Sequence, residues 1–430
     1  MKIAVEGRLS ALSAQQERLL LGRSTDPDSE LARRVRATIR RVRAAGDAAL
    51  RRMVRRYDGV QLGRLEVPRE RWEVALAGLD SAVRRALERA AQNIAAFHRS
   101  QLPRPFEVSV EPGVKLGCRF EPLGKVGAYV PGGRASYPSS LLMCTVPARV
   151  AGVEEVVVCS PPLAGGEPAP SVLAACVIAG VDRVFAVGGA GAIAALAYGT
   201  ETVPRVDAIV GPGNRYVTEA KRQVAMQVAV DCPAGPSEVL IVADESASPR
   251  LVALEMLAQA EHDPDAAAVL VTVSPGVARA VREELAAALA VEPRREIAAA
   301  ALAAQGALLV ADTMEEALAF AARYAPEHLL LLTADPRRDL ERVRNAGTVF
   351  LGGASSVVFG DYMTGANHVL PTGGLARSFA GLSVATFLRQ VTYQELSAAA
   401  AAAMAEDAAV LAEEERLPAH AAAALARRFQ

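Results

Sequence analysis

The sequence predicts an α/β protein made of two strand–helix series, preceded by a helical N-terminal region and followed by a helical C-terminal tail. Three observations predict it. Short β-branched runs recur between residues 126 and 351, and each gives way to small residues and then to apolar residues at helical spacing, the punctuation of βαβ units. The length of 430 residues suits two or three domains. Hydrophobic residues make up 51% and charged residues 22%, which suits a folded globular chain and not a disordered one.

From residue 28 to about 45, Leu31, Val35, Ile39 and Val42 recur at helical spacing among arginines, and residues 80 to about 101 repeat the amphipathic pattern. The first hundred residues therefore read as helical. The arginines between Arg33 and Arg56 read as a solvated helix face rather than a nucleic-acid patch, because acidic residues accompany them. After Pro103, Pro105 and Pro112 strands are expected at 126–130, 156–159, 184–187 and 207–210. A second series follows Pro233-Ala234-Gly235-Pro236, with strands expected at 239–242, 267–273, 307–310, 329–332 and 348–351. Residues 352–374 are glycine-rich and polar and too long for a simple turn, the signature of a binding loop. Residues from about 392 to 430 read as helices rich in alanine and glutamate.

Composition excludes several partners. The 47 basic and 48 acidic residues leave a net charge of −1, with a pI near 6.6, so no large field attracts nucleic acid or anionic membrane. The five cysteines (Cys118, Cys144, Cys159, Cys176, Cys232) are odd in number, widely spaced and free of CxxC pairs; neither a disulfide framework nor a thiolate zinc site is indicated. The start, Met1-Lys2-Ile3-Ala4-Val5-Glu6-Gly7-Arg8, meets charge before an apolar run develops, and no stretch approaches a spanning length. A cytoplasmic location is expected.

Four short motifs carry candidate chemistry. Gln259-Ala260-Glu261-His262 ends a helix expected over 249–260, and residues three apart share a helix face, so the Gln259 amide and the His262 imidazole can converge on one atom. A helix C-terminus with a capping His is the plainer reading. Ala325-Pro326-Glu327-His328 sets a carboxylate beside an imidazole at a strand entrance, both standard general bases; an exposed Glu beside a half-buried His is the alternative. The glycine-rich loop adds Asp361 and His368. Of the five histidines His98 sits in a helix, whereas His262, His328, His368 and His420 all lie beside Asp, Glu or Gln or in polar stretches. For a nucleotide, Gly188-Gly189-Ala190-Gly191 and Gly211-Pro212-Gly213-Asn214 each stand between a strand and a helix, where backbone N–H groups can meet phosphate.

Asp231-Cys232-Pro233-Ala234-Gly235-Pro236-Ser237-Glu238-Val239-Leu240 followed by Gln259-Ala260-Glu261-His262 resembles the signature of the histidinol dehydrogenases. The similarity extends through Val126-Gly127-Ala128-Tyr129-Val130-Pro131-Gly132-Gly133, Gly211-Pro212-Gly213-Asn214, Ala325-Pro326-Glu327-His328-Leu329, Asn367-His368-Val369-Leu370-Pro371-Thr372 and Pro418-Ala419-His420, nearly the whole chain. The resemblance implies oxidation of L-histidinol through the aldehyde to L-histidine with two NAD⁺, in a homodimer. It implies one Zn²⁺ per subunit held by Gln259, His262 and Asp361, with His420 given by the partner subunit. His328 would be the base of both oxidations and Glu327 would activate the water that hydrates the aldehyde. Ser237, His368 and Glu415 match further substrate-contacting positions, beside Gln259, His262, His328, Asp361 and His420; Tyr129, Gly191 and Asn214 match positions that contact NAD⁺. Two incomplete Rossmann-like units are implied, one inserted in the other: an N-terminal arm (1–22), a larger unit (23–106 and 237–380) carrying zinc and the catalytic residues, an inserted NAD-side unit (107–236), and a tail (381–430) swapped onto the partner.

Two departures from the family pattern stand out. Gly191 occupies a place where relatives often carry glutamine, removing a side-chain hydrogen bond to the nucleotide, and Arg416 replaces the glycine that usually follows the tail glutamate. The nearest rival reading is a paralogue that oxidises another small alcohol, such as a sulfonated diol; Glu415 and His368, suited to an aminoalkyl imidazole, favour histidinol. A zinc hydrolase would need an open metal position and an adjacent base, and HExxH is missing. A catalytically silent binding protein would have no use for the full set of Glu327, His328 and four ligand positions.

Overall fold

The computed structural model describes residues 1–23, 29–132, 136–232 and 234–429. Gly133 and Pro233, named in the motifs above, and residues 28 and 430, given above as bounds, lie outside the described residues. In chain order, β1 (Val5–Arg8) and α1 (Ala14–Leu21) lead to α2 (Ser29–Tyr57), α3 (Arg69–Ala77) and α4 (Ser81–Arg99), then to a hairpin of β2 (Phe106–Glu111) and β3 (Val114–Pro122). A first βα series runs β4 (Lys125–Tyr129), α5 (Pro138–Ala151), β5 (Glu155–Ser160), α6 (Pro170–Ile178), β6 (Arg183–Ala186), α7 (Gly189–Tyr198), β7 (Ala208–Val210), α8 (Arg215–Val224) and β8 (Ala229–Val230). The second runs β9 (Glu238–Ala243), α9 (Pro249–Ala260), β10 (Ala267–Thr272), α10 (Pro275–Val291), α11 (Arg295–Gln305), β11 (Ala307–Val310), α12 (Met314–Tyr324), β12 (His328–Leu332), α13 (Pro336–Leu340) and β13 (Thr348–Leu351). The chain closes with α14 (Val357–Tyr362), β14 (Leu388–Leu396), α15 (Ala398–Glu414) and α16 (Pro418–Leu425).

Two parallel sheets and one antiparallel sheet result. The larger has order β1-β11-β10-β9-β12-β13 and the smaller β6-β5-β4-β7-β8, while β14-β3-β2 pair antiparallel. The smaller sheet is thus formed between β1 and β9 of the larger one in sequence. Every residue of β9, β10 and β12 is buried, as expected of parallel strands covered by helices on both faces. That double burial is why these strands read as unbroken apolar runs in the sequence.

The described N-terminal residues are not wholly helical: Val5 to Arg8 add an edge strand to the larger sheet beside β11. With only Val5 of its four residues buried, β1 is too short and too polar to show a strand pattern in the sequence. Helices α2 to α4 pack on the smaller sheet rather than on the larger one to which residues 23–106 were expected to belong. Leu31, Val35, Ile39 and Val42 share a core with Val157, Phe185 and Ile193, and Trp72, Leu87 and Ile94 share another with Val126 and Val156. The arginines at positions 33, 34, 36, 40 and 41 are exposed, the solvated face expected of them. The tail also departs from an all-helical reading: β14 runs to Leu396, pairing residue by residue with β3 from Leu388 opposite Pro122 to Leu396 opposite Val114. Among the described residues no helix is long and apolar enough to cross a membrane.

Candidate active site

The N-terminal edge of the larger sheet gathers most of the expected groups. α12 ends at Tyr324, Ala325 takes a left-handed φ of 49°, and the chain turns within three residues into β12, whose first residue is His328. Glu327 and His328 are both buried, so the exposed-Glu alternative does not hold. In the adjacent register β9 lies parallel, with His328 opposite Val239, so the start of β9 stands beside the pair. The Glu238 N–H donates to Glu327 Oε2 at 2.8 Å, and His328 Nδ1 donates to the Glu238 carbonyl at 3.2 Å. That bond leaves His328 Nε2 as the acceptor nitrogen, 3.8 Å from Asp361 Oδ1. Ser237, half-buried, immediately precedes β9, and its carbonyl accepts from Ala267 N–H at 3.1 Å.

α9 runs back across the sheet and so delivers its C-terminal end to the same edge. Gln259 is buried and its Nε2 has no hydrogen-bond partner; His262 follows the helix as an exposed residue whose ring is nevertheless crowded by protein. One turn before Gln259, Glu255 accepts from Val357 N–H at 3.2 Å at the start of α14, which carries Asp361. Burial and the charge of Glu255 push the Asp361 carboxyl up to about 7. His368 Nδ1 donates to the Asp361 carbonyl at 2.8 Å, and Ser140 Oγ lies 3.2 Å from His368 Nε2. Burial dominates the three imidazoles: His328 is held down to about 3, His368 to about 4, and His262 below its ordinary value, and charge on His262 depresses both of the others. Burial, with Glu238 and Asp361 nearby, lifts Glu327 well above the carboxylate range. At neutral pH the cluster is therefore rich in neutral imidazole.

The smaller sheet meets this edge with the C-terminal ends of its strands, the place where open parallel sheets bind ligands. Ser140 lies in the first turn of α5. Asn367 Nδ2 donates to the Met143 carbonyl at 2.7 Å, so the glycine-rich loop is tied to α5 twice. Tyr129 is buried, its hydroxyl accepts from Gly189 N–H at 3.1 Å, and burial pushes its pKa to about 12. Asn214 is exposed and caps α8, its Oδ1 accepting from Tyr216 and Val217 N–H groups. Lys221 donates to the Gly211 carbonyl and to Asp231 Oδ1, while Gly211 N–H donates to Asp231 Oδ2 at 2.6 Å; this buried pair pins the Gly211-Pro212-Gly213-Asn214 turn. Gly191 is buried against α2: a Cβ there would stand 3.0 Å from Met53 Sδ and 3.4 Å from Leu50, so Met53 fills the space a longer side chain would enter.

His420 and Glu415 stand apart from the cluster in this chain. Both are exposed in the α15–α16 hairpin, and α16 packs principally on α15. Between them Arg416 takes φ 60°, the left-handed turn that glycine adopts without strain, so the tail keeps the bend despite the substitution. Sequence reasoning missed Ser140, Glu238 as a hinge of the pair, and Glu255. Each acts through a partner at least 89 positions away; only the place of Glu255, one turn before Gln259, was readable.

Among the described residues no three His, Cys, Asp or Glu side chains form a metal-holding group. The expected single-chain set contains two such residues, His262 and Asp361, beside the Gln259 amide. The donor types nevertheless suit a cation: a buried amide whose carbonyl oxygen can ligate, an imidazole held below its ordinary pKa and so neutral, and a largely enclosed carboxyl whose raised pKa marks the lack of a compensating charge. All five cysteines are buried and free, and burial raises the Cys232 thiol to about 12, which leaves no activated thiolate beside the cluster.

A family model described as histidinol dehydrogenase matches residues 21–428. The histidinol dehydrogenase of Methanosarcina mazei is 46% identical over 428 residues, 99% of this chain and 98% of that protein. That of Halobacterium salinarum is 49% identical over 388 residues, 90% of this chain and 91% of that protein. A crystal structure of histidinol dehydrogenase from Elizabethkingia anophelis matches with a TM-score of 0.94 at 33% identity, covering 99% of this chain and 98% of that one.

Proposed function

The chain belongs to the histidinol dehydrogenase family, NAD-dependent oxidoreductases of histidine biosynthesis, and from that premise we propose which of its residues carry the reaction and with what cofactors. The reaction is the two-step oxidation of L-histidinol through L-histidinaldehyde to L-histidine. The single observation that carries the assignment is the pairing at the head of β12: a buried His328 with Nδ1 committed and Nε2 free, beside a buried Glu327. His328 Nε2 would take the hydroxyl proton in the step for which bound NAD⁺ would supply the hydride acceptor. A neutral imidazole suits that transfer and its repetition on the aldehyde hydrate. Glu327, with no thiolate at hand, polarises the water that adds to the aldehyde.

Gln259, His262 and Asp361 would hold one Zn²⁺ per subunit, with the fourth protein ligand, His420, coming from a partner subunit. Zinc bound there supplies a Lewis-acidic anchor that orients the substrate's imidazole and amine. Ser237 and His368, the latter oriented by Ser140 and the Asp361 carbonyl, line the substrate position, and Glu415 approaches from the partner's tail. Tyr129 and Asn214 face NAD⁺ from the strand ends of the smaller sheet; Gly191 contributes backbone only, since its Cα faces Met53. A homodimer is supported by the exposure of Phe106, Val108 and Val110 on β2 and of Val410 and Leu411 on α15, apolar surface that a partner would cover. The larger α/β unit carries metal and base, the smaller inserted unit the nucleotide, and the enzyme works in the cytoplasm.

The experiment is NADH formed per L-histidinol consumed by purified enzyme, with and without a chelator and after zinc is restored. About two NADH per substrate, abolished by the chelator and recovered with zinc, is expected for a template metal. Turnover that survives complete metal removal contradicts the assigned metal role.

A further inference from the structure

Glu238 holds both members of the pair at once. Its N–H donates to Glu327 Oε2 at 2.8 Å, its carbonyl accepts from His328 Nδ1 at 3.2 Å, and its side-chain Oε1 accepts from the Glu327 N–H at 3.3 Å. The Glu238 side chain is itself buried, and a carboxylate there requires a counter-charge. Arg23, just beyond α1, supplies it: Nη1 donates to Glu238 Oε2. The same guanidinium donates through Nη2 to the carbonyl of Tyr324, the last residue of α12, and through Nε to the Leu20 carbonyl at 2.8 Å. Its plane also covers the Tyr324 ring, with Cζ 3.3 Å from the ring centroid. Arg23 therefore ties together the start of β9 and the end of α12, the two elements that set where residues 327 and 328 stand.

We propose that the buried Arg23–Glu238 ion pair is the positioning element of the reaction centre, fixing the orientation of Glu327 and the Nδ1–H tautomer of His328. This rests on the reading of Glu327 and His328 as the acid–base pair. Arg23 and Glu238 are positioning residues; their side chains bond to each other and to protein backbone. Without the guanidinium, the Glu238 carboxylate loses its counter-charge and the β9 backbone its anchor, and the imidazole is free to turn its donor nitrogen elsewhere. Chemistry suffers, while groups that bind histidinol and NAD⁺ are left in place.

The test is steady-state kinetics of the full-length, metal-loaded enzyme with Arg23→Ala, Arg23→Lys and Glu238→Gln, with and without added methylguanidine. Arg23→Ala is expected to lower kcat roughly 100-fold, the cost of a small misplacement of a catalytic group, with KM for both substrates within about threefold. Methylguanidine should recover about tenfold of that loss and leave the parent enzyme unchanged, since it restores the missing donor fork. Arg23→Lys, which keeps the charge and loses the fork, should fall between the two. If Arg23→Ala does not fold, Glu238→Gln, close to isosteric, must show the same fall in kcat at unchanged KM. A kcat within about threefold of the parent, a loss carried by KM, or a loss in a folded Arg23→Ala that methylguanidine does not relieve overturns the proposal. His328→Asn, assayed alongside, separates the two readings: if it keeps the parent kcat, the acid–base reading falls and the positioning role with it.

Discussion

Asp361 carries the clearest pH signature of the cluster. Burial and Glu255 hold its carboxyl near 7 against an ordinary 3.8, so below pH 7 a cation must displace a proton from it and above pH 7 it need not. Zinc affinity should therefore rise about tenfold per pH unit up to about pH 7 and flatten above, with His262, already held below its ordinary value, a smaller contributor. Competition titration against a chelator of known affinity between pH 5.5 and 8 measures the slope; an affinity independent of pH below 7 would show that Asp361 is not a ligand. At this scale the sequence was informative where chemistry sits in neighbours: Glu327 beside His328, Gln259 three residues from His262. It was silent where a side chain acts across the fold, as Ser140 does on His368 and Arg23 on Glu238, because no local spacing marks a contact across more than 200 positions.

Among elements, α7 and α2 decide what the first glycine-rich turn can offer a nucleotide. Gly191 lets α7 approach α2 until Met53 Sδ would stand 3.0 Å from an added Cβ. Gly191→Gln should lower stability by about 1–3 kcal/mol through overpacking, and Met53→Ala in the same chain should return part of it. Thermal unfolding of the two variants measures this; a Gly191→Gln protein as stable as the parent would mean that α2 yields freely, and that the glutamine of relatives could be accommodated. The covered parallel strands were legible to within a residue or so because burial on both faces turns them into apolar runs: β9, β10 and β12, buried throughout, lie within a residue of the expected 239–242, 267–273 and 329–332, whereas the edge strands β1 and β8 were not expected. The antiparallel sheet was not. All six residues of β2 and most of β14 are exposed, so their alternation had no core to announce, and β14 ran into an alanine-rich stretch whose helix propensity dominated the reading.

Over the whole molecule, the larger sheet carries the residues proposed as base and metal ligands, the smaller sheet turns its strand ends toward them, and helices α2 to α4 brace the smaller sheet. The expected alternation of strands and helices was legible in periodicity; the side on which the N-terminal helices pack was not, because an amphipathic face specifies burial without naming the surface that buries it. His420, the fourth ligand in the proposed set, lies exposed on α16, away from His262 and Asp361 of the same chain. A shared site between two subunits is the arrangement that would use it. Mixing His420→Ala with His328→Asn homodimers, with subunit exchange verified, tests this directly. In a symmetric dimer each heterodimer rebuilds one intact site from the His328 of one chain and the tail of the other, so a fully exchanged equal mixture should recover roughly a quarter of the parent activity. No recovery would contradict the shared site and would require His420 to act within its own chain or not at all.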